Sequence, residues 1–194
     1  MIGAIVLAAG LSRRMGQPKL VLPWGSTTII GQVVDVLLRS DVKPVVVVTG
    51  GAHEKVAEAL NGMTVKLVIN QRYQEDQMTL SLQAGIKALP GESEAVLVVL
   101  GDQPQIKEHV VRAVMDEYRI SEAPLIVPSY QMRRGHPWLV ARSLWPELLA
   151  IRPPQTLRDF LSKRASQIRY LNVNTVTVLQ DLDTPEDYQQ YVPK

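Results

Sequence analysis

Short apolar segments alternate with amphipathic segments along this chain, and this alternation limits the possible fold more than any other feature. Runs rich in branched apolar residues recur at 2–7, 44–49, 65–69, 95–100 and 125–128. Such runs are typical of strands buried on both faces. Helical spacing predicts helices at 28–39, 53–60, 79–89, 107–119, 142–151 and 156–164, with a last one after Thr184. The order predicts a three-layer α/β sandwich with a mostly parallel sheet.

The size and composition of the chain predict one folded domain over residues 1–194. This length is sufficient for one substantial core, and 46% apolar with 21% charged residues is ordinary for a globular protein. Segments 136–140 and 168–179 are expected to add an antiparallel or edge strand. Ligands of open α/β sheets bind beyond the carboxyl ends of the strands, so the residues that follow each strand are the first candidates for a site.

Several classes of function are excluded or disfavoured by composition. The chain has no cysteine, which excludes disulfides, thiolate nucleophiles and cysteine-ligated metal centres. A net charge of +2 without a long basic run disfavours nucleic-acid binding. No apolar run approaches membrane-spanning length, and the apolar start breaks at Gly10, which indicates a buried strand and not a signal peptide. We therefore expect a cytoplasmic protein that binds neither nucleic acid nor membranes.

The loop that follows the first predicted strand reads L-A-A-G-L-S-R-R-M-G-Q-P-K, residues 7–19. Gly10 and Gly16 allow backbone conformations in which successive N–H groups can approach an anion closely. Three cations add positive charge: Arg13, Arg14 and Lys19. The spacing matches neither the Walker pattern nor the dinucleotide fingerprint. The residues alone leave two interpretations open, a phosphate cradle or a plain glycine loop with solvated charges.

An aspartate follows the predicted strand at 95–100. In V-L-V-V-L-G-D-Q-P, Asp102 lies at the carboxyl end of that strand, at the same edge of the sheet as the opening loop. Magnesium takes one or two carboxylates together with water and substrate phosphates, so one aspartate is enough to begin a site. Alternatively, Asp102 caps a turn before Pro104.

A second acidic segment, D-L-D-T-P-E-D-Y, precedes the last helix. Thr184 is predicted as N-cap, Pro185 as the first helical residue, and Asp187 as the partner in a capping box. Capping explains residues 184–187 but not Asp183.

Residues 3–23 and the G-D-Q-P-Q-I motif at 101–106 resemble the MobA-like nucleotidyltransferases, most closely the molybdenum cofactor cytidylyltransferase branch. The resemblance implies a Rossmann-like fold of the nucleotide-diphospho-sugar transferase type. It implies that Arg14 and Lys19 bind triphosphate, that Asp102 binds magnesium, and that Asp183 is a second metal ligand. The nucleotide-binding residues implied are Ala8, Ala9, Gly10, Arg14, Lys19, Ser81 and Gly101. The L-A-A-G start is that of the cytidylyltransferases, which favours CTP.

The same resemblance extends to residues on the acceptor side. S-L-x-x-G, beginning at Ser81, lies in the family near the base and ribose, although helical periodicity explains Leu82 and Gly85 as ordinary helix residues. R-x-G-H-P implies that Arg134 and His136 bind the acceptor, while a histidine in a turn is more often structural or exposed. Segment 150–161 departs from the family pattern, which leaves acceptor identity and any role of Arg158 open.

The resemblance implies transfer of CMP from CTP to molybdopterin or molybdenum cofactor with release of pyrophosphate. A molybdoenzyme of the xanthine dehydrogenase type is a possible partner. Three alternatives remain: a nucleotidyltransferase acting on another phosphorylated acceptor, a non-catalytic nucleotide-binding accessory for molybdoenzyme maturation, and a plain binding domain.

Overall fold

The apolar runs of the sequence form the strands of one central sheet. A computed structural model of the chain describes residues 1–75 and 77–193. Its strands are β1 (Ile2–Ala8), β2 (Pro23–Trp24), β3 (Thr27–Thr28), β4 (Val45–Thr49), β5 (Lys66–Ile69), β6 (Ala95–Leu100), β7 (Leu125–Tyr130), β8 (Arg133–Arg134), β9 (Trp138–Ala141) and β10 (Ile168–Asn172).

The helices lie between these strands. They are α1 (Ile29–Arg39), α2 (His53–Ala59), α3 (Met78–Ala88), α4 (Glu108–Ser121), α5 (Trp145–Ala150), α6 (Leu157–Lys163) and α7 (Pro185–Tyr191). None of the helices in the described ranges has both the length and the hydropathy that crossing a bilayer requires.

The strand order of the large sheet is β10-β7-β9-β6-β1-β4-β5, with β8 paired to β7, while β2 and β3 form a separate hairpin. The pairs of β1 with β4 and β6, of β4 with β5, and of β7 with β10 are parallel. β9 runs antiparallel between β6 and β7. The predicted extra strands are therefore confirmed as the antiparallel β9 and the edge strand β10, which is parallel to its neighbour.

Two apolar cores cover the two faces of the sheet, because alternate residues of each strand point to opposite sides. Ala4 and Val6 of β1 belong to the core with α1, α2 and α4, whereas Ile5 belongs to the core with α3, α5 and α6. The predicted mostly parallel sheet with helices on both faces is confirmed. The helical interpretation of Leu82 and Gly85 also holds, since Leu82 is buried and a Cβ on Gly85 would lie 2.5 Å from Ile5.

Two predicted boundaries are wrong for local reasons. The segment predicted as one helix over 142–151 is a 3₁₀ turn at Arg142–Leu144 followed by α5, because Pro146 fits only the first turn of an α-helix. The apolar segment 168–179 leaves the sheet after Asn172 and ends in a 3₁₀ turn at Val176–Leu179.

Candidate active site

The loop after β1 is folded by two short 3₁₀ turns, Arg13–Met15 and Lys19–Val21. The backbone is left-handed at Ser12 and at Gly16, with φ of 48° and 66°. The Ser12 hydroxyl accepts a hydrogen bond from the backbone N–H of Lys19 at 3.2 Å. This bond closes the loop and holds the start of the second turn in place.

The two glycines of the loop, Gly10 and Gly16, differ in backbone conformation and in their surroundings. Gly16 has a left-handed backbone, which other residues adopt at a cost. Gly10 has no left-handed φ, and a Cβ built there would meet no atom within 4 Å. Gly10 is exposed and lines a cavity beside the loop, so its backbone is accessible to a ligand.

Two basic and two acidic side chains meet beyond the carboxyl ends of β1 and β6. The Nζ of Lys19 lies 2.6 Å from Oδ2 of Asp102, 2.7 Å from the carbonyl oxygen of Leu182 and 3.2 Å from Oδ1 of Asp183. Nη1 of Arg14 lies 3.0 Å from Oδ2 of Asp183. We call Arg14, Lys19, Asp102 and Asp183 the charge centre. Lys19 is shielded from water, with 12% of its side chain exposed, against 70% for Arg14.

The charge centre shifts the pKa of two groups. Burial by itself lowers the pKa of the Lys19 ammonium, but the charge of Asp102 and hydrogen bonds to Asp102 and Asp183 outweigh it, so the pKa is raised. Burial raises the pKa of Asp181, and the negative charges of Asp102 and Asp183 raise it further. Lys19 is therefore a permanent cation at neutral pH.

Asp102 reaches this position because β6 lies next to β1 in a parallel pair. Leu100 is in register with Leu7, so the two strands end together. The next residue, Gly101, donates its backbone N–H to the Leu7 carbonyl oxygen at 3.0 Å. A Cβ on Gly101 would lie 2.9 Å from that oxygen, so glycine allows the close approach of the two chains.

Asp183 is positioned by the segment that precedes α7. The backbone N–H of Leu182 donates to the carbonyl oxygen of Asp102 at 3.0 Å, which ties this segment to the end of β6. Thr184 and Asp187 form the predicted capping box, and Oδ2 of Asp187 also accepts from the backbone N–H of Asp183 at 3.1 Å. Because Asp187 caps the helix, the Asp183 carboxylate is left to bind cations.

A cavity of about 440 Å³ opens beside the charge centre. This is within the usual size range of small-molecule sites. Its floor includes Asn70 and Ser81, both 5% exposed, and the Asn70 amide donates to the Ser81 hydroxyl at 3.1 Å. The sequence-derived candidates that line it are Ala8, Ala9, Gly10, Arg14, Lys19, Ser81, Asp102 and Asp183.

Tyr73 also lines this cavity, and sequence reasoning missed it. Its side chain lies against two glycines that follow β4: Cβ atoms built on Gly50 and Gly51 would lie 2.8 Å and 2.9 Å from it. The Gly50–Gly51 pair after a buried strand was the signal that could have indicated a side chain packed on bare backbone.

Arg134 and His136 do not join the charge centre. Arg134 is exposed, and its Nε donates to the Tyr170 hydroxyl at 2.9 Å. The His136 ring stacks on Trp138 with 4.5 Å between ring centroids. Burial lowers the pKa of His136 to about 4, so the ring is neutral at physiological pH. His136 Nε2 and Trp138 Nε1 are buried without a hydrogen-bond partner in the described structure.

The residues of the charge centre fit a divalent cation in part. The carboxylates of Asp102 and Asp183 and the Leu182 carbonyl are hard oxygen donors of the kind that magnesium and manganese bind. Within residues 1–75 and 77–193, no group of three or more His, Cys, Asp or Glu side chains is arranged to hold a metal ion. The donors present therefore suit a cation that takes its other ligands from water and phosphate.

Comparison with known families gives one match over most of the chain. The family model described as MobA-like NTP transferase domain matches residues 4–168. The molybdenum cofactor cytidylyltransferase of Escherichia coli is 27% identical over 96% of this chain and 93% of that protein. The nicotine blue oxidoreductase of Paenarthrobacter nicotinovorans is 26% identical over 95% of this chain and 93% of that protein.

Solved structures share the fold over nearly the full length. Rv0371c from Mycobacterium tuberculosis has a TM-score of 0.87 at 26% identity, with 98% of this chain and 97% of that chain covered. A second structure of Rv0371c is a complex with manganese and has a TM-score of 0.82 at 25% identity, with coverage of 98% and 97%.

Proposed function

Because the chain belongs to the MobA-like NTP transferase family, we propose that this nucleotidyltransferase moves the CMP group of CTP to a molybdopterin-type phosphorylated acceptor. The other product is pyrophosphate. The observation that carries the proposal is the charge centre, in which Lys19 and Asp102 meet within 2.6 Å beside a cavity of about 440 Å³.

The opening loop is proposed to hold the triphosphate. Ala8, Ala9 and Gly10 line the cavity, and the absence of a side chain at Gly10 leaves its backbone open to a phosphate. Arg14 and Lys19 supply the positive charge that a triphosphate requires. Gly101 supports the site by letting the Asp102 loop approach β1.

The base and ribose are proposed to occupy the part of the cavity near Ser81. The Asn70 and Ser81 side chains are buried there and bonded to each other, so they present fixed polar atoms. Preference for CTP is supported by the L-A-A-G start of the loop and by similarity to the Escherichia coli cytidylyltransferase.

The transfer forms one bond and breaks another at the α-phosphorus of CTP. An oxygen of the acceptor phosphate bonds to that phosphorus, and the bridging oxygen leaves with its electron pair as pyrophosphate. A phosphate monoester with a second pKa of about 6 is mostly dianionic at neutral pH, so no general base is required. Lys19 and Arg14 neutralise and orient the repelling phosphates. Magnesium, which Asp102 and Asp183 would hold, supplies charge neutralisation at the phosphates.

Arg134 and His136 are proposed to contact the acceptor. Arg134 offers a charge at the surface. Nε2 of the neutral His136 ring has no partner within the described structure but is shielded from solvent, so its contact with the acceptor requires a local movement of this segment. In contrast, Arg158 lies exposed on α6, and nothing in its surroundings indicates a role.

The test measures pyrophosphate release with CTP, GTP, ATP or UTP, each with magnesium and with molybdopterin as acceptor. We expect release with CTP and molybdopterin together and little release without the acceptor. Release with another phosphorylated acceptor, such as a sugar phosphate or methylerythritol phosphate, would reassign the acceptor. Nucleotide binding without any release would indicate an accessory protein.

The similarity to an oxidoreductase needs its own control, because the two curated relatives are almost equally identical to this chain. Oxidation of NADH or NADPH measured with the same preparation separates the two activities. The charge centre favours nucleotide transfer, since paired carboxylates and cations at a phosphate-sized loop fit a metal-bound triphosphate. Nothing in the described residues supports a molybdoenzyme partner.

A further inference from the structure

The Lys19 ammonium uses its whole donor capacity within the protein. An ammonium has three N–H groups, and Nζ has three oxygen acceptors at 2.6, 2.7 and 3.2 Å. Asp183 is likewise engaged at both oxygens, by Lys19 at Oδ1 and by Arg14 at Oδ2. Protein cations therefore occupy three of the four carboxylate oxygens that could serve a metal, and Oδ1 of Asp102 is the one without such a partner in the described structure.

The same oxygens are those that a divalent cation would require. Magnesium binds oxygen at about 2.0–2.1 Å, and a positive charge held 2.6 Å from the Asp102 oxygen would repel it strongly at that range. The described residues offer no cluster of three or more candidate metal ligands elsewhere or at the charge centre. Metal binding at Asp102 thus conflicts with the position of Lys19.

The Lys19 side chain can move while its backbone stays in place. The backbone N–H of Lys19 is fixed by the Ser12 hydroxyl, and the next residue, Leu20, is 7% exposed in the first core. The lysine stem is a flexible chain of four carbons. The ammonium can therefore leave Asp102 for a phosphate in the same cavity without refolding the loop.

We infer that Lys19 is an exchangeable counter-ion: its ammonium neutralises Asp102 and Asp183 until a triphosphate draws it away, which frees Oδ2 of Asp102 and Oδ1 of Asp183 for a divalent cation. This rests on the proposed function insofar as the anion is a nucleoside triphosphate. The consequence is positive coupling, because each ligand then removes an obstacle to the other. Metal alone binds weakly, and metal with nucleotide binds tightly.

The inference predicts effects of opposite sign for one substitution. Lys19→Met keeps a flexible unbranched side chain, one atom shorter than that of lysine, and removes its charge. It should weaken nucleotide binding and, without nucleotide, strengthen metal binding, since Asp102 loses its counter-ion and Asp183 keeps only Arg14. A lysine that only contacts phosphate would weaken nucleotide binding and leave the nucleotide-free metal affinity unchanged.

Mn²⁺ is the probe, titrated into the full chain and followed by calorimetry and by the electron paramagnetic resonance signal of free Mn²⁺. Each protein is measured without nucleotide and with saturating α,β-methylene CTP, a non-transferable analogue. In the unsubstituted protein the analogue should tighten Mn²⁺ binding at least about fivefold, the lower end of ordinary coupling between sites. Lys19→Met should bind Mn²⁺ without nucleotide at least about fivefold more tightly and show less coupling.

Arg13→Met is the matched control. Arg13 is an exposed cation of the same loop that makes no ion pair with residues 1–75 or 77–193, and its loss tests the general effect of one charge. Lys19→Arg keeps the charge and should keep Mn²⁺ binding weak. If Lys19→Met does not fold by circular dichroism, Lys19→Gln replaces it.

The outcomes separate the two claims. An unchanged nucleotide-free Mn²⁺ affinity in folded Lys19→Met, or an equal increase in Arg13→Met, overturns the exchange whatever nucleotide the protein uses. Failure of every nucleotide to bind, with Mn²⁺ binding still stronger in Lys19→Met alone, overturns the proposed function but leaves the exchange of Lys19 for a cation standing.

Discussion

The charge centre and the segment 133–140 arrange their polar side chains in opposite ways. The charge centre joins residues up to 169 positions apart, and its cations and carboxylates are paired with one another. In the segment 133–140, two residues that are only two positions apart lie in different surroundings. Arg134 contacts Tyr170 at the surface, whereas His136 packs against Trp138 and its buried Nε2 has no partner in the described structure. The first region balances charge within the protein, and the second leaves hydrogen-bonding capacity unused.

The difference teaches that closeness in sequence does not define a site. The charge centre depends on strand order, since β6 and β1 must be neighbours for Asp102 to meet Lys19. The segment 133–140 depends on local packing, since Gly135 is pressed against Val178, where a Cβ would lie 2.6 Å away. Four substitutions probe this comparison, in order of decreasing expected effect.

Asp102→Ala removes the carboxylate of the charge centre that is less exposed to solvent. Loss of the carboxylate should lower pyrophosphate release on the order of 10³-fold, because it removes a ligand proposed to hold magnesium beside the phosphates. The fold should persist, since Lys19 keeps Leu182 and Asp183 as partners. Release is measured at saturating CTP, with circular dichroism as the control. Activity near that of the unsubstituted protein would show that Asp102 is not needed for the reaction.

Lys19→Ala tests the cation of the same centre. A charge-assisted hydrogen bond contributes about 1.5–3 kcal/mol, so the dissociation constant for CTP should rise about 10- to 100-fold. Calorimetry with CTP and magnesium measures this. Lys19→Arg is the control that keeps the charge, and equal affinity of Lys19→Ala and the unsubstituted protein would contradict the phosphate cradle.

His136→Phe tests the second region through stability. The folded pKa of about 4 lies below the usual 6.5, so the unfolded chain binds the extra proton first as pH falls, and stability is lost between pH 6.5 and 4. At pH 5 this loss is about 2 kcal/mol.

Phenylalanine does not titrate, so urea unfolding at pH 7.5 and pH 5 should show a smaller decrease for His136→Phe than for the unsubstituted protein. At pH 7.5 the substitution should not destabilise through Nε2, which has no partner in the described structure. Equal decreases in both proteins would mean that His136 is accessible to water.

Asp187→Ala tests whether a residue outside the charge centre positions Asp183. It removes the capping box of α7 and the acceptor of the Asp183 N–H, so the free energy of unfolding should fall by about 1 kcal/mol. Because Asp183 also loses support, Mn²⁺ binding in the presence of CTP should weaken severalfold.

Asp159→Ala is its matched control. Asp159 forms the same capping box with Thr156 at the start of α6, outside the cavity beside the charge centre. It should reduce stability by a similar amount and leave Mn²⁺ binding unchanged. If both variants bind Mn²⁺ equally well, the positioning of Asp183 does not depend on Asp187.

The centre of the sheet was predictable because β1, β4, β6 and β7 are buried on both faces, so apolar runs mark them almost to the residue. The edge strand β5 was located as well, although none of its residues is fully buried. The predicted strand at 95–100 coincides with β6, and its end placed Asp102 at the correct edge. The capping box before α7 was predictable because it depends only on residues within one turn. These features are local consequences of composition and spacing.

The contacts of the charge centre were not predictable from spacing. Lys19 meets Asp102 and Asp183 across 83 and 164 positions, and alternation of strands and helices does not specify which strands become neighbours. For His136 the sequence left a structural and an exposed position open, and spacing could not decide between them. Its place is determined by Trp138, whose ring provides the stacking surface.

The hydrogen bond from Leu182 to Asp102 has a consequence for how the site is completed during synthesis of the chain. Strands β1, β4 and β6 are synthesised early and can pair as soon as they emerge, since domains fold during synthesis from the N-terminal side. The residue that binds both Lys19 and Arg14 is Asp183, which is translated after all of the described strands. A nascent chain therefore contains every strand of its sheet before it contains the last carboxylate of the charge centre.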